Sequence, residues 1–312
     1  MSLKQSPHLL KLLLSVMACG SIAFTASRYR RVAASSAPAA AAVAAPSMAV
    51  MRVVSVGSST TETVYALGAG SRVVGVDTSS LFPPEVTALA QVGYQRALAA
   101  EGLLSLKPTM LLGGSESGPS SVLDQMRAAG VKVEIVPLTP TVEGARERIR
   151  RIAELIGVDP ASVLARLEAD LTAAKTLVER SKTRPRVLVL YARGGTNIFA
   201  FGRNTATDAM LALAGADNAM SDIEGTKPVT PESLVAAKPD VIVMPTRGLE
   251  MLGGNEGLLK VPGVRQTPAG KAQRFVTMDD VLLLGFGPRT GIAASELARK
   301  VHSDLTEAEP TK

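Results

Sequence analysis

Short apolar runs rich in β-branched residues alternate with helical patterns from Arg52 onward. The run RVVSVG is followed by Ser59 to Glu62, a pattern typical of a capping box, which predicts a helix ending at Gly68 before the next run, RVVGV. The same alternation continues to about residue 156. It predicts an α/β fold with mainly parallel sheets.

A long, charged helical pattern separates two such arrays. Asp159-Pro160 is typical of a helix start, and the pattern continues without a break to about Lys182, before Pro185. At a rise of 1.5 Å per residue, this helix would span roughly 34 Å. Because the segments on both sides begin in the same way, we predict that one long helix over 159–183 bridges two Rossmann-like lobes.

The two arrays share a segment of identical spacing. LAAEGLLSLKPTMLLGG and VTPESLVAAKPDVIVMP both contain Glu-x-Leu-x-x-x-Lys-Pro followed by an apolar strand. The first glutamate is Glu101 and the second is Glu232, 131 residues later. The match indicates two similar lobes. The alternative is a common helix–Pro–strand junction that arose twice.

These patterns divide the chain into five parts. We predict a leader or tether at 1–51, lobes at 52–158 and 184–306, the bridging helix between them, and a tail at 307–312. Two α/β lobes that meet at the carboxyl ends of their strands form a cleft, which is where such sheets usually bind small ligands.

The leader has a composition of its own. Residues 9–26 form an apolar run interrupted by Lys11, typical of a secretory signal with a cleavage site after Ala23. A single membrane anchor is the alternative. Cys19 weakly resembles a lipoprotein acceptor. The Ala/Pro/Ser-rich stretch at 32–50 predicts a tether or an extended leader. We expect export to the periplasm.

Composition argues against several functions. Of the 312 residues, 46% are hydrophobic and 3% aromatic; His8 and His302 lie near the ends, and Cys19 is the one cysteine. Zinc sites built from Cys and His, and Ser–His–Asp triads, are therefore not expected in the body.

The net charge is +6, but the first 51 residues carry five Lys or Arg and no acid. The remainder is close to neutral, so no nucleic-acid partner is expected.

Two motifs favour a structural role. VLLLGFGPRTG at 281–291 is expected to run from a strand through a Gly-rich turn into a helix, but its glycine spacing does not fit a dinucleotide-binding turn. Arg289 in this turn could still face the cleft. Glu62 is explained by helix capping rather than catalysis, and no carboxylate pair has convincing acid/base spacing.

Tyr94 is the candidate for binding a metal-containing ligand. It lies in a predicted loop after Pro83-Pro84, two residues before Arg96, at the expected rim of the cleft. A tyrosine phenolate is a hard oxygen donor suited to ferric iron, including haem iron. Spacing alone, however, fits an ordinary loop tyrosine better.

Residues 52–305 resemble the periplasmic haem-binding proteins of bacterial ABC importers, within the helix-bridged class of substrate-binding proteins. The resemblance is carried by VGVDTSSLFPPEV, VGYQRALAAEGLLSLKPT, FGRNTATDAMLALAGADNA, PESLVAAKPDVIVMP and LLLGFGPRTG. It implies a non-enzymatic carrier that captures haem b outside the inner membrane and passes it to an ABC permease dimer and its ATPase. An outer-membrane haem receptor system is a further expected partner.

The resemblance also implies roles for individual residues. Tyr94 would supply the axial oxygen to haem iron, with Arg96 as its hydrogen-bonding or charge partner. Some family members add a His after the first strand of the second lobe, whereas YARGGT has Arg193 there. We assign Arg193 to a haem propionate, because a guanidinium pairs with a carboxylate through two hydrogen bonds. Tyr191 is either a cleft residue or part of the core.

The duplicated glutamates suggest a docking function. One exposed acid at the same place on each lobe would form a two-point electrostatic contact with a partner bearing paired arginines. The resemblance independently implies that Glu101 and Glu232 meet arginines on the two permease subunits. Two alternative functions remain open: a carrier of cobalamin or a ferric siderophore, and an α/β enzyme, for which few catalytic residues are available.

Overall fold

The computed structural model describes residues 51–193 and 197–306, and the predicted leader with Cys19 and the predicted tail lie outside them. The strands are β1 Val53–Val56, β2 Val73–Val76, β3 Ala90–Gln91, β4 Met110–Gly113, β5 Lys132–Ile135, β6 Arg186–Arg193, β7 Asn197–Phe201, β8 Asp217–Asn218, β9 Thr226–Pro228, β10 Val241–Pro245 and β11 Phe275–Met278. The helices are α1 Ser58–Ala66, α2 Ala100–Ser105, α3 Ser120–Ala128, α4 Val142–Ile156, α5 Ala161–Glu179, α6 Ala206–Leu213, α7 Pro231–Ala237, α8 Thr246–Met251, α9 Gly254–Lys260, α10 Pro268–Ala272, α11 Asp280–Leu284, α12 Thr290–Val301 and α13 Ser303–Thr306. In this part of the chain, no helix is long and apolar enough to cross a bilayer.

The sheet of the first lobe has the strand order β3-β2-β1-β4-β5, and every neighbouring pair is parallel. All four residues of the central strand β1 are buried, as are those of β4. Strands covered on both faces need apolar side chains on both. This explains why both segments are mostly apolar rather than alternating; the polar exception in β1, Ser55, is hydrogen-bonded to the Thr61 hydroxyl at 2.8 Å.

The sheet of the second lobe repeats this arrangement and adds to it. Strands β8, β6, β10 and β11 are parallel neighbours. Strand β7 pairs antiparallel with β6, and β9 pairs antiparallel with β7 at the edge of the sheet. The prediction of two α/β lobes with mainly parallel sheets is therefore confirmed. The antiparallel strand β7 was not predicted. Only three residues separate it from β6, and a connection that short requires antiparallel pairing.

The two Glu-x-Leu-x-x-x-Lys-Pro segments fold alike. Helices α2 and α7 each begin one residue before the glutamate. The leucine two residues after each glutamate is fully buried. Lys107 and Lys238 then adopt φ values of 48° and 45° before the proline, and each chain enters a central strand, β4 or β10. The repeated sequence thus encodes the same helix–turn–strand unit in each lobe.

The lobes share one hydrophobic core across helix α5. The largest buried cluster includes Val53 of the first lobe, Leu167 of α5 and Val187 of the second lobe. Helix α12 packs closely on α5 at Gly291. Because side chains from both lobes fill this cluster, we expect only limited opening of the cleft.

Replacing Gly291 with alanine is expected to destabilise the fold. The added Cβ would lie 2.4 Å from backbone atoms of Asp170 and Leu171, so α5 and α12 would have to move apart. Overpacking of this kind costs about 1–3 kcal/mol. Urea denaturation would measure the loss. Gly102→Ala is the control: it lies in α2 with no neighbour within 4 Å of the new methyl group, and should be neutral or slightly stabilising. An equal loss in both variants would contradict the proposed close packing.

The predicted capping box at Ser59–Glu62 is wrong. Helix α1 begins at Ser58, one residue earlier, and its N-cap is Gly57 at φ 99°, without a side-chain cap. Glycine is suited to this position because it adopts positive φ without steric cost. The Glu62 carboxylate is engaged elsewhere, by Arg289.

The strand predicted at the start of 281–291 is also wrong. Strand β11 ends at Met278, and the Asp279 side chain then accepts a hydrogen bond from the Leu282 backbone N–H at 2.9 Å, capping helix α11. Four consecutive apolar residues fit a buried helix as well as a buried strand. The cap was the available signal for a helix.

Candidate functional site

A cavity of about 670 Å³ lies between the two lobes, at the carboxyl ends of their strands. The first lobe contributes loops that follow β1, β2, β3, β4 and β5, and the second contributes residues that follow or flank β6, β7 and β11. The cavity is therefore where the strand topology predicts a ligand site.

Tyr94 is on the cavity wall and is 41% exposed. Its loop is held by backbone hydrogen bonds: the Thr78 N–H donates to the Gly93 carbonyl at 2.9 Å and the Ala97 N–H to the Tyr94 carbonyl at 2.8 Å. Gly93 adopts φ 91°, which lets the chain turn just before the tyrosine. In the described residues the Tyr94 hydroxyl has no hydrogen-bond partner, so its oxygen is available to a ligand.

Arg96 also lines the cavity, where it forms an ion pair with Glu116. Both side chains are about half exposed, and such surface pairs contribute little to stability. The structure thus directs Arg96 toward Glu116 rather than toward Tyr94. The predicted pairing of Arg96 with a ligand-bound Tyr94 stays a prediction.

Aromatic side chains form part of the opposite wall. Tyr191 on β6 is the register partner of Phe199 on β7, and its ring lies 6.1 Å from that of Phe201 at an angle of 59°. With Tyr94, four of the ten Tyr and Phe residues of the chain line this cavity. The sequence analysis missed the two phenylalanines. The alternation in NIFAF, which places both on one strand face, was the signal for them.

The two remaining arginine candidates differ in position. Strand β6 ends at Arg193, whose side chain lies outside the described part of the structure. Arg289 donates from Nε and Nη2 to the Glu62 carboxylate at 3.0 and 2.9 Å, and its guanidinium lies 3.4 Å from the centre of the Phe82 ring. The Glu62 side chain is 4% exposed and that of Arg289 21%. This ion pair joins the two lobes.

Charged residues that the sequence analysis missed also line the cavity: Arg148, Arg247 and Asp280. Burial raises the pKa of the Asp280 carboxyl, partly opposed by the backbone N–H of Arg247, 3.3 Å away. Burial lowers the pKa of the Arg148 guanidinium to about 10, so this side chain remains protonated at neutral pH. Arg148 lies within an arginine-rich helix, where its position alone does not distinguish it from its exposed neighbours.

His302 lies away from the cavity. It is buried, with Nε2 2.8 Å from the Ala214 carbonyl oxygen and Nδ1 2.8 Å from the Ser181 hydroxyl. Across residues 51–193 and 197–306, no group of three or more His, Cys, Asp or Glu side chains could hold a metal ion.

The predicted docking residues lie outside the cavity lining, on the short helices α2 and α7. Glu101 and Glu232 are both exposed, and each is the second residue of its helix. Three residues further on, each helix presents an exposed apolar side chain, Leu104 in the first lobe and Val235 in the second. A hydrogen bond from its own backbone N–H, together with one from Thr230, lowers the pKa of the Glu232 carboxyl.

The sequence matches the periplasmic binding protein family over residues 53–282. The chain belongs to this family, as its two lobes and interlobe cavity led us to expect. It is 43% identical to the periplasmic heme-binding protein RhuT of Roseiflexus sp. RS-1 in its apo form. That structural match has a TM-score of 0.79 and covers 82% of this chain and 99% of RhuT.

Two further relatives differ in the ligand that their names give. The periplasmic heme-binding protein BhuT, solved in complex with two hemes, is 40% identical, with a TM-score of 0.77 over 81% of this chain and 98% of BhuT. The vitamin B12-binding protein of Photorhabdus laumondii subsp. laumondii is 25% identical over 81% of this chain and 89% of its own.

Proposed function

We propose that this protein is the haem-binding component of an ABC importer, and that Tyr94 supplies the oxygen ligand to haem iron. The observation that carries the proposal is a tyrosine hydroxyl that has no hydrogen-bond partner among the described residues, on the wall of an aromatic-lined interlobe cavity. The likeness to RhuT and BhuT supports it.

The cavity suits a flat, largely apolar macrocycle with charged edges. Its volume of about 670 Å³ lies within the range of roughly 300–1,000 Å³ typical of small-molecule sites. Tyr191, Phe199 and Phe201 offer ring faces and edges to the macrocycle, opposite the lobe that carries Tyr94. Arg193, placed at the end of β6, is the residue we assign to a propionate.

Replacing Tyr94 with phenylalanine should abolish ligation while keeping the ring in place. Removing a residue that only hydrogen-bonds to a metal ligand already weakens metal binding by roughly 10- to 100-fold. Removing the ligand itself should therefore weaken haemin binding by at least about 100-fold. Absorption titration with haemin would show a ferric tyrosinate spectrum in the wild type and none in Tyr94→Phe.

Tyr65→Phe is the matched control, because Tyr65 lies on α1 outside the cavity lining. It should bind haemin as the wild type does. An unchanged spectrum in Tyr94→Phe would overturn the proposed role of Tyr94.

We further propose that the carrier is non-enzymatic and is exported to the periplasm. The cargo leaves the cavity chemically unchanged. The apolar run at 9–26 serves as the export signal, with a lipid anchor at Cys19 as the alternative. Mass spectrometry of the mature chain distinguishes cleavage after Ala23 from a lipid-modified N-terminal cysteine.

We infer that α2 and α7 dock the two permease subunits. Each helix presents an exposed glutamate and, three residues later, an exposed apolar side chain, Leu104 or Val235. The carboxylates would pair with arginines of the permease, and the apolar side chains would be covered in the contact. The equal spacing in both lobes suits a partner made of two like subunits.

Cobalamin is the second candidate cargo. The vitamin B12-binding relative, 25% identical over most of its length, favours it. Parallel titrations with haemin and cyanocobalamin decide between the two. Saturable binding of cyanocobalamin without binding of haemin would overturn the haem proposal and identify cobalamin as the cargo.

A further inference from the structure

Arg148 is a buried cation on the cavity wall. It extends from α4, is 3% exposed, and lines the cavity together with Ser59. Its guanidinium donates to the Ser59 hydroxyl and, at 2.9 Å, to the Pro137 carbonyl. Its Nε has no hydrogen-bond partner within residues 51–193 and 197–306. Within the described residues, no acid lies at ion-pair distance from it.

The first turn of α1 faces the same part of the cavity. Ser58, Ser59 and Thr60 all line the cavity, and the helix has no side-chain cap. Backbone N–H groups in the first turn of a helix lack intrahelical partners and attract anions. The Asp77 carboxylate accepts a hydrogen bond from the Gly57 N–H at 2.7 Å; it is fully buried and does not line the cavity, so it fixes the start of this turn without occupying the ligand side.

Ser59 connects the two features. Its hydroxyl oxygen accepts a hydrogen bond from Arg148, so its own hydrogen can be donated to a ligand. An anion on this turn would therefore receive hydrogen bonds from the backbone and from a hydroxyl polarised by a buried positive charge. It would also compensate that charge, which is otherwise costly to bury.

We propose that the first turn of α1, supported by Arg148 through Ser59, binds one ionised carboxylate of the cargo. The inference rests on the proposed function, in which the cargo is haem and the carboxylate is a propionate. It places one acidic edge of the macrocycle against the first lobe, on the wall that also carries Tyr94. Arg148 is a positioning residue, since it acts through Ser59.

The test compares haemin with haemin dimethyl ester, which has no ionised propionate. The wild type should bind haemin at least about tenfold more tightly than the ester, because hydrogen bonds to charged groups are the stronger ones. Arg148→Met should weaken haemin binding by about tenfold or more and leave ester binding unchanged. Arg148→Lys should retain part of the preference, since it keeps the charge. The tyrosinate spectrum should persist in every variant.

Arg150→Met is the matched control, because Arg150 lies on the same helix but is exposed and paired with Glu143. It should keep the wild-type preference. Should Arg148→Met fail to fold by thermal unfolding, Ser59→Ala removes the connecting hydroxyl and should cause the same selective loss.

Three results distinguish the claims. Equal affinity of the wild type for haemin and the ester would overturn the inference and leave the haem function standing. An equal loss for both ligands in Arg148→Met and Ser59→Ala would overturn it too, since that pattern indicates a general structural role. Absence of saturable haemin binding to the wild type would overturn the proposed function and this inference with it.

Discussion

Arg289→Met should destabilise the protein by about 3–5 kcal/mol, the cost typical of removing one partner of a buried ion pair. The substitution leaves the Glu62 carboxylate, 4% exposed, without its two guanidinium hydrogen bonds. It also removes the cation from the Phe82 ring. Since the pair joins the two lobes and their core is shared, the loss should appear as a lower midpoint of one cooperative urea transition.

The pair of Arg146 and Glu168 is the control for this prediction, because its carboxylate is exposed. Arg146 donates to both Glu168 oxygens at 2.6 and 2.8 Å, much as Arg289 does to Glu62, and also to Glu143 at 3.0 Å. The side chains of Glu168 and Glu143 are 48% and 56% exposed, against 4% for Glu62, so water can solvate them when the guanidinium is removed. Arg146→Met should therefore cost less than about 1 kcal/mol. If both variants lost the same stability, burial would not be the reason for the effect.

Reversing both docking charges should abolish import and leave cargo binding intact. Glu101→Arg combined with Glu232→Arg places positive side chains where the proposed partner carries arginines, and like-charge contacts cost several kcal/mol in an interface. Haemin uptake by vesicles containing the cognate permease and ATPase would measure import. Absorption titration would confirm that the cavity, which neither residue lines, still binds haemin.

Glu147→Arg combined with Glu256→Arg controls for the change in net charge. Both residues are exposed glutamates, on α4 and α9, one in each lobe. This variant should import haemin at the wild-type rate. Normal uptake by the docking variant would refute the two-point contact, and loss of uptake in the control would attribute the effect to total charge.

The sequence indicated those features that depend on local pattern. The repeated Glu-x-Leu-x-x-x-Lys-Pro segments predicted two matching units, and each proves to be a helix, a left-handed lysine and a buried strand. The loop position of Tyr94 likewise follows from its neighbours. Because these features are encoded within a few residues, they could be recognised without knowledge of the tertiary contacts.

Features that depend on distant contacts could not be predicted in this way. Glu62 and Arg289 are 227 residues apart, and a capping pattern offered a local explanation for the glutamate. Arg148 is one of four arginines within six residues of α4, and only packing against α1 shows which of them is buried. The charged contacts that join the lobes and line the cavity therefore required the structure.

The shared core has a consequence for how long the cargo stays bound. A carrier with a flexible hinge can trap its ligand by closing, so the dissociation rate follows the rate of reopening. Here the lobes are joined by a continuous cluster of buried side chains and by the Arg289–Glu62 pair. In the proposed haem complex, residence time should then follow the lifetime of the iron–oxygen bond at Tyr94. The permease would speed unloading by weakening that bond rather than by forcing the lobes apart.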